Sequence, residues 1–261
     1  MKKTLVERLH AEPPEEMRRI IEGGILYDSS CSKEARVYFI DKDDGYYLKA
    51  APKGTLHAEA QMTSYFHKKG LAPEVLSYAS QDLDWLLTAK ARGEDCTNEM
   101  YLLNPKRLCD TIAEMLRSLH ETDFSGCPVM NKNERYLKLA EENYRSGNYD
   151  SSYFPDSFGY ASAESAYRTF TMGKNAISGK VLLHGDYCLP NIMLDNWRPA
   201  GFIDLGAGGV GDRHIDIFWG VWTLGFNLKT YKYTNRFKDA YGRDKIDDEV
   251  LKTVAAAEVF G

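Results

Sequence analysis

Paired cysteines and long apolar runs are both missing from this sequence of 261 residues. The five cysteines include no C-x-x-C pair and their number is odd, so we expect reduced thiols and a cytoplasmic location. A membrane-spanning helix needs about 20 consecutive apolar residues, but the longest candidate, 217–226, contains two glycines and a threonine. Lys2 and Lys3 are not followed by the apolar stretch of a signal peptide. We therefore expect no membrane partner.

An excess of positive charge is missing as well. Lys and Arg number 33 against 38 Asp and Glu, which gives a formal net charge of −5. This balance argues against nucleic acid as a partner and suits a small cationic substrate. The hydrophobic content of 43% is ordinary for a globular protein, and the length is sufficient for one large domain or two lobes.

The most informative stretch is 184–192, with the sequence H-G-D-Y-C-L-P-N-I, which follows the apolar run 181–183. The apolar run predicts a buried strand that leads into a loop. In that loop Asp186 can accept a proton from a hydroxyl, whereas Asn191 and the later Asp204 offer the hard oxygen atoms that Mg²⁺ prefers. A positioned hydroxyl, a base and metal ions are what transfer of a γ-phosphoryl group requires. The pattern therefore predicts a phosphoryl-transfer centre.

The sequence H-G-D-x-x-x-x-N-I, followed by a strand and by G-F-I-D at 201–204, resembles the catalytic and metal-binding loops of the protein-kinase-like small-molecule kinases. The similarity is greatest to the aminoglycoside 3'-phosphotransferases, through residues 188–193 and through Asp212, Arg213 and Asp216. We expect those last three residues to form a buried network of hydrogen bonds and ion pairs under the loops.

The resemblance implies an α+β, bilobal, protein-kinase-like fold, with an N-terminal antiparallel β-lobe and a larger, mainly helical C-lobe. The domains that it implies are a nucleotide-binding lobe over 1–88, a hinge over 89–93 and a catalytic and substrate-binding lobe over 94–261. The hydrophobic pattern itself predicts helices over 4–22, broken at Pro13-Pro14, and over 105–121, with a β-hairpin over 35–49.

Lys49 ends a predicted strand with the sequence Y-Y-L-K, which resembles the strand lysine of kinases. A lysine that binds the α- and β-phosphates needs a carboxylate to fix its ammonium group, and Glu59 on the next predicted helix is the candidate. Tyr47 lies on the same face of the strand as Lys49, and the resemblance implies that Tyr47 stacks on adenine.

Four further nucleotide contacts are predicted. The turn before the hairpin carries serines where protein kinases have glycines, and we select Ser30 as its phosphate contact. The resemblance implies that the Ala89 carbonyl and the Ala91 N–H meet adenine and that Ile203 belongs to the same site. The implied cofactors are ATP, with GTP possible, and Mg²⁺.

The end of the chain is predicted to contact the acceptor. The family typically ends in an acidic residue, two apolar residues and a free carboxylate that reaches the substrate, which implies that Glu258, Phe260 and Gly261 bind substrate together with Asp186. This sequence departs from the family pattern at two places where acidic residues are frequent. Ala257 stands in place of an acidic residue, and 225–227 contains no acidic residue. The resemblance implies that the insert 131–180 supplies carboxylates to the amines of the substrate, and Asp150, Asp156 and Glu164 are the candidates.

We therefore expect an ATP- and Mg²⁺-dependent kinase that phosphorylates a hydroxyl of an aminoglycoside antibiotic, namely the 3'-hydroxyl, and so gives resistance. Two alternatives stay open: a metabolic kinase of an amino sugar, choline or homoserine, and a nucleotide-binding regulator without turnover. The presence of Lys49, Asp186, Asn191 and Asp204 together argues against the regulator. We expect a monomer or a weak dimer.

Overall fold

The computed structural model describes residues 3–31, 34–149 and 159–261. The predicted substrate carboxylates Asp150 and Asp156 lie outside these residues. Within them, no helix is both long enough and apolar enough to cross a membrane.

The described part of the chain contains both strands and helices, with most strands in the first hundred residues. The strands are β1 (Thr4–Leu5), β2 (Ile25–Asp28), β3 (Arg36–Asp41), β4 (Tyr46–Pro52), β5 (Val75–Ser80), β6 (Leu83–Ala89), β7 (Glu94–Asp95), β8 (Val181–Leu183), β9 (Ile192–Asp195), β10 (Arg198–Phe202) and β11 (Gly209–Gly211). The helices are α1 (Glu15–Ile21), α2 (His57–Lys68), α3 (Glu99–Leu102), α4 (Pro105–His120), α5 (Lys132–Ser146), α6 (Ala163–Gly173), α7 (His214–Leu228), α8 (Thr234–Tyr241) and α9 (Asp248–Glu258). An α+β composition is thereby confirmed.

The chain divides into two compact units. The first comprises Met1–Asn98 and Pro190–Ala207, and the second comprises Glu99–Leu189 and Gly208–Gly261. Residues 190–207, which the sequence analysis grouped with the C-terminal lobe, pack instead with the first unit because β9 pairs with β7. The hinge assigned to 89–93 stays a prediction.

A six-stranded antiparallel sheet dominates the first unit, in the order β1-β2-β3-β4-β6-β5. The predicted hairpin is confirmed as β3 and β4, which pair from Arg36↔Ala50 to Ile40↔Tyr46. One face of the sheet carries the core, where Leu48 of β4 and Leu87 of β6 are fully buried against α1. Because side chains alternate along a strand, Lys49 projects from the opposite face.

The N-terminal prediction is wrong in its first half. Residues 4–5 form an edge strand that pairs with β2, and the helix begins only at Glu15, after the extended Pro14. Two consecutive prolines remove backbone donors and hold φ near −65°, which favours a start after them. Glu15 and Glu16 then lie in the first turn, where acidic groups complement the helix dipole.

The second unit is built mainly of helices. The helix predicted over 105–121 is confirmed as α4, which begins with Pro105 and buries an apolar stripe completely or nearly so at Leu108, Ile112, Leu116 and Leu119. Full burial of each such side chain contributes about 1.5–3 kcal/mol. The ribbon of β8 and β11 pairs Leu182 with Val210 and presents the loop that begins at His184.

Candidate active site

A cavity in the first unit collects most of the residues that were predicted to bind nucleotide or metal. Charged, apolar and backbone groups all line it. Seven predicted residues line it: Tyr47, Lys49, Glu59, Ala89, Ala91, Ile203 and Asp204.

The ammonium group of Lys49 is held by two carboxylates. Lys49 comes from β4, and its Nζ lies 2.8 Å from Oε2 and 3.0 Å from Oε1 of Glu59, in the first turn of α2. The same Nζ lies 2.6 Å from Oδ1 of Asp204, which follows β10. Burial acts to lower the pKa of Lys49, but the two carboxylates outweigh it and hold this pKa above its usual range. The group is therefore a fixed positive charge.

The segments of the two predicted metal ligands are joined by a backbone hydrogen bond. The N–H of Ile203 donates to the Asn191 carbonyl at 3.0 Å, which holds the residue before Asp204 against Asn191. Asp204 has a left-handed φ of 59°, a conformation that Asp tolerates better than most residues. Its side chain is 51% exposed.

The donors on these two segments fit Mg²⁺. Among the described residues, no group of three or more His, Cys, Asp or Glu forms a cation site. Mg²⁺ does not need such a cage, because it keeps several waters and takes one or two carboxylates together with substrate phosphates. The Asp204 carboxylate and the Asn191 amide are the hard oxygen donors that this chemistry uses.

Tyr47 and Ala89 contribute an aromatic ring and the end of β6 to the cavity. Tyr47 packs against Phe39, with ring centroids 5.3 Å apart, and its burial raises the pKa of the phenol to about 12. The Ala89 N–H donates to the Glu74 carbonyl at 2.9 Å, so the end of β6 is fixed on both sides. The phenol stays protonated at neutral pH and presents an uncharged ring.

Ser30 is placed differently from the other predicted nucleotide residues. It is absent from the described lining of the cavity. Its Oγ accepts a hydrogen bond from the Val37 N–H at 2.9 Å, and its own N–H donates to Oδ1 of Asp28 at 2.8 Å. Both bonds stabilise the turn before β3. The phosphate contact of Ser30 stays a prediction.

The loop that carries Asp186 belongs to the second unit and is anchored by a buried carboxylate of α7. Oδ2 and Oδ1 of Asp216 accept hydrogen bonds from the backbone N–H groups of His184 and Gly185, each at 2.7 Å. Asp216 is fully buried. The Asp186 N–H in turn donates to Nδ1 of His184 at 3.2 Å. Asp216 thus fixes the loop at the two residues before Asp186.

The network around Asp216 includes residues that the sequence did not indicate. His120 lies 3.2 Å from Asp216 through Nε2 and 2.8 Å from the Tyr241 hydroxyl through Nδ1. Burial lowers the pKa of His120. Arg213 contacts Tyr241 at 3.4 Å. His120 and Tyr241 were not assigned to this network because their partners are remote in sequence, and no local spacing indicates such pairs.

Asp212 forms a separate anchor beside this network. It accepts hydrogen bonds from the backbone N–H of Gly179 at 2.7 Å and from the His214 N–H at 3.0 Å. Burial acts to raise the pKa of Asp212, but the His214 side chain and the backbone donors lower it to about 2. The carboxylate stays charged and ties the start of α7 to the segment before β8.

Glu258 is buried at the end of α9, with only 8% of its surface exposed. The Tyr136 hydroxyl donates to its Oε1 at 2.9 Å. Burial raises the pKa of Glu258 to about 7, against the opposing effects of Tyr136, Lys132 and Trp219. The carboxyl group is therefore divided between its neutral and charged forms near neutral pH.

The other predicted acceptor residues differ in exposure. Phe260 is fully buried, and its ring lies 5.4 Å from those of Tyr144 and Tyr149, which is the environment of a packing residue. Gly261 is exposed. Glu164 is exposed in the first turn of α6. Their contacts with an acceptor stay predictions.

The family model that describes the phosphotransferase enzyme family matches residues 32–252. A curated protein from Lactococcus lactis subsp. lactis (strain IL1403), named "Probable aminoglycoside 3'-phosphotransferase", is 52% identical over 249 residues, which cover 95% of each chain. An aminoglycoside 3'-phosphotransferase from Niallia circulans is 30% identical over 218 residues, covering 82% of this chain and 83% of that one.

Two solved structures have a similar fold. The crystal structure of aminoglycoside-3'-phosphotransferase of type VIII aligns with a TM-score of 0.81 at 21% identity and covers 94% of this chain and 97% of that chain. Aminoglycoside phosphotransferase APH(3'')-Id from Streptomyces rimosus ATCC10970, in complex with ADP and streptomycin, aligns with a TM-score of 0.72 at 22% identity and covers 86% of this chain and 90% of that chain.

These comparisons confirm the kinase-like fold and the family that the motifs at 184–192 and 201–204 indicated. The match extends over most of the chain, from before β3 into α9. The chain belongs to the phosphotransferase enzyme family, and it is an enzyme of the kinase class.

Proposed function

We propose that this enzyme transfers the γ-phosphoryl group of ATP to the 3'-hydroxyl of an aminoglycoside and requires Mg²⁺. The observation that carries the proposal is the Lys49 ammonium, held by Glu59 and Asp204 in a cavity that also contains Ala89 and Ala91. A fixed cation beside exposed carboxylate oxygen suits a metal-bound polyphosphate. The Ala89 carbonyl and the Ala91 N–H can form hydrogen bonds with the edge of a purine ring.

The nucleotide roles follow from these positions. Lys49 binds the α- and β-phosphates, and Glu59 orients it. Tyr47 offers its uncharged ring to adenine, with the backbone of Ala89 and Ala91 at the base edge and Ile203 below it. GTP stays a candidate second donor.

The chemical step requires a base more than a nucleophile from the protein. Asn191 and Asp204 hold Mg²⁺, which when bound neutralises charge on the phosphate oxygens. Asp186 orients the acceptor hydroxyl and takes its proton. Asp216 keeps the Asp186 loop in one conformation through the two backbone N–H groups that it binds.

The acceptor is a polycationic aminocyclitol antibiotic. Its support is the name of the 52% identical relative, the net charge of −5 and the carboxyl group of Glu258 in the same unit as Asp186. An ammonium group near Glu258 would favour the charged carboxylate, so that binding of the cation and loss of the proton are coupled. The consequence of such turnover is resistance to the antibiotic.

The setting of the enzyme is also proposed. The five cysteines form no disulfide with one another, which suits the reducing cytoplasm. A monomer or a weak dimer is sufficient for this chemistry, because every proposed role lies on one chain.

A panel of acceptors tests the function. Kanamycin and neomycin carry a free 3'-hydroxyl and should be phosphorylated with ATP and Mg²⁺, whereas tobramycin, which lacks that hydroxyl, should bind without being phosphorylated there. ³¹P-coupled NMR of the product identifies the position. Turnover of choline or a simple sugar without turnover of kanamycin or neomycin would overturn the proposal.

A further inference from the structure

The cavity of the first unit is also lined by Lys3, which the sequence analysis did not select as a site residue. Its Nζ lies 3.2 Å from the ring centroid of Phe39 and 5.7 Å from that of Tyr47. An aromatic face attracts a cation at such distances. The next residue, Thr4, pairs with Asp28 of β2, which fixes the backbone beside Lys3. Lys3 is thus held at the cavity by its ring contact and by its neighbour in the sheet.

The contacts of Lys3 place its ammonium group at the Tyr47 end of the cavity. Tyr47 and Lys49 are two residues apart on β4, which corresponds to about 7 Å along a strand. Phe39 of β3 is the cross-strand neighbour of Tyr47, whereas Val37 is that of Lys49. An ammonium group over Phe39 is therefore closer to the proposed position of the base than to the groups proposed to bind phosphate.

The hydrogen-bond donors of the Lys3 ammonium are unpaired within the described part of the chain, where it forms no hydrogen bond and no ion pair. Lys90 lines the same cavity and places its own Nζ 5.9 Å from the Phe39 centroid. Burial and the charge of Lys90 lower the pKa of Lys3, while Glu94 and Asp41 act in the opposite direction. An acceptor atom of a ligand would therefore stabilise this ammonium group.

We propose that Lys3 is a nucleotide-binding residue whose ammonium group donates a hydrogen bond to the base or the ribose of ATP. The proposal deepens the proposed function and rests on its assignment of this cavity to ATP. Purine ring nitrogens and ribose hydroxyl oxygens are acceptors. A base stacked on Tyr47 would present such atoms close to an ammonium group that lies 5.7 Å from the same ring centroid.

A comparison of ATP with adenosine separates this contact from a general attraction between charges. Adenosine has the base and the ribose of ATP but no phosphate. A hydrogen bond from Lys3 to the nucleoside contributes equally to the affinity for both molecules. An attraction between the Lys3 charge and the triphosphate contributes to the affinity for ATP only.

Lys3→Met is the decisive variant, because it removes the donors and keeps most of the apolar stem. We expect the Kd for adenosine and the Kd for ATP, both measured by calorimetry, to rise by the same factor of about 5- to 20-fold. Lys3→Arg keeps the charge, the donors and the contact with the Phe39 ring, and should stay within about 3-fold of wild type. Lys49→Met should instead weaken the binding of ATP with little effect on adenosine, because its proposed partners are phosphates.

Lys69→Met is the matched control. Lys69 belongs to the same unit and also places its ammonium group over a ring, 4.9 Å from the Tyr65 centroid, but it is absent from the described lining of the cavity. The substitution removes the same charge as Lys3→Met and should change neither Kd.

Two results would overturn the role of Lys3 and leave the proposed function intact. One is an unchanged Kd of Lys3→Met for both ligands, and the other is a loss for ATP without a loss for adenosine. A wild-type enzyme that binds adenosine through Lys3 but phosphorylates no aminoglycoside would overturn the proposed acceptor and leave the Lys3 contact intact. A wild-type enzyme that binds neither adenosine nor ATP would overturn both proposals.

Discussion

The Asp204 side chain has two interactions in our proposal, one with Lys49 and one with Mg²⁺. In the structure the Asp204 carboxylate neutralises Lys49 at 2.6 Å, and by our proposal it also binds Mg²⁺. If Asp204 binds Mg²⁺, its carboxylate is less available to Lys49, and Glu59 is then the carboxylate that orients the Lys49 ammonium group. This explains why Glu59 lies in a protected position, with its side chain 12% exposed, while that of Asp204 is 51% exposed.

Asp204→Ala should therefore abolish Mg²⁺-dependent turnover and weaken ATP binding mainly when Mg²⁺ is present, because the lost oxygen belongs to the ion and only indirectly to the nucleotide. Asn191→Ala should act in the same direction but more weakly, since it removes a neutral ligand. Nucleotide titrations with Mg²⁺ and with EDTA measure the difference. Equal losses under both conditions would show that the two residues are structural.

Asp186→Asn should lower kcat by about 10²–10⁴-fold, the usual contribution of a positioned general base. Nucleotide binding should be nearly intact, because Asp186 is not among the residues that line the cavity proposed for ATP. Steady-state kinetics and a nucleotide titration on the same preparation test both statements. A variant with the kcat of wild type would contradict the assignment of the base.

Glu258→Gln should make the free energy of unfolding less dependent on pH. Burial raises the pKa of Glu258 from 4.5 to about 7, so the folded state holds a proton that the unfolded state releases. Wild-type stability should therefore fall relative to the variant as pH rises from about 4.5 to about 7, by on the order of 1–3 kcal/mol.

Urea unfolding at several pH values measures this difference. Glutamine is the suitable replacement, because its neutral amide still accepts the hydrogen bond from Tyr136. Glu114→Gln, on the exposed side of α4, is the matched control and should leave the profile of wild type unchanged. Parallel profiles for Glu258→Gln and wild type would show that folding does not raise the pKa of Glu258.

Among the elements, α7 has the most varied role. Its first turn supplies Asp216, which anchors the loop that carries Asp186 through His184 and Gly185. Its middle supplies Thr223, which binds the Leu189 N–H at the far end of the same loop. One helix thus holds both ends of a loop that has little regular structure of its own.

Asp216→Asn should destabilise the enzyme by about 2–3 kcal/mol, because an amide nitrogen cannot accept the backbone hydrogen bonds that a buried carboxylate oxygen accepts. Denaturant unfolding gives the loss, and faster amide exchange at His184 and Gly185 locates it. Asp239→Asn removes an exposed carboxylate of α8 that pairs with Arg243. This variant should lower the free energy of unfolding by less than about 1 kcal/mol. Equal losses in the two variants would contradict the anchoring role.

At the scale of the whole molecule, charge complements the proposed substrate. The chain carries a net charge of −5, and the proposed acceptor is polycationic. The Kd for kanamycin should therefore increase with salt between about 0.05 M and about 0.5 M, as screening shortens the range of the attraction. Calorimetric titrations at several salt concentrations measure it. A Kd that does not change with salt would mean that contacts other than charge determine acceptor binding.

Several parts of the fold could be predicted because their signals are local. The 3.6-residue spacing of apolar residues indicated α4, and two β-rich runs around the turn at 41–45 indicated the hairpin of β3 and β4. The prediction of a helix at the N-terminus was wrong because a local signal was overruled by pairing with a strand more remote in sequence. Leu5 and Leu9 have a helical spacing, but pairing of β1 with β2 determined the conformation of residues 4–5.

The sequence by itself determined the family and the kinase class, because motifs carry side-chain types at fixed spacings, and the same motifs predicted Lys49, Glu59, Asp186 and Asp204 as site residues. Only the tertiary structure decided that residues 190–207 pack with the first unit, that His120 joins Asp216, and that Glu258 is buried with a raised pKa. Burial and pairing between remote residues depend on how elements pack. A one-dimensional pattern records which groups are present, whereas the packing determines the solvent, the partners and therefore the charge of each group.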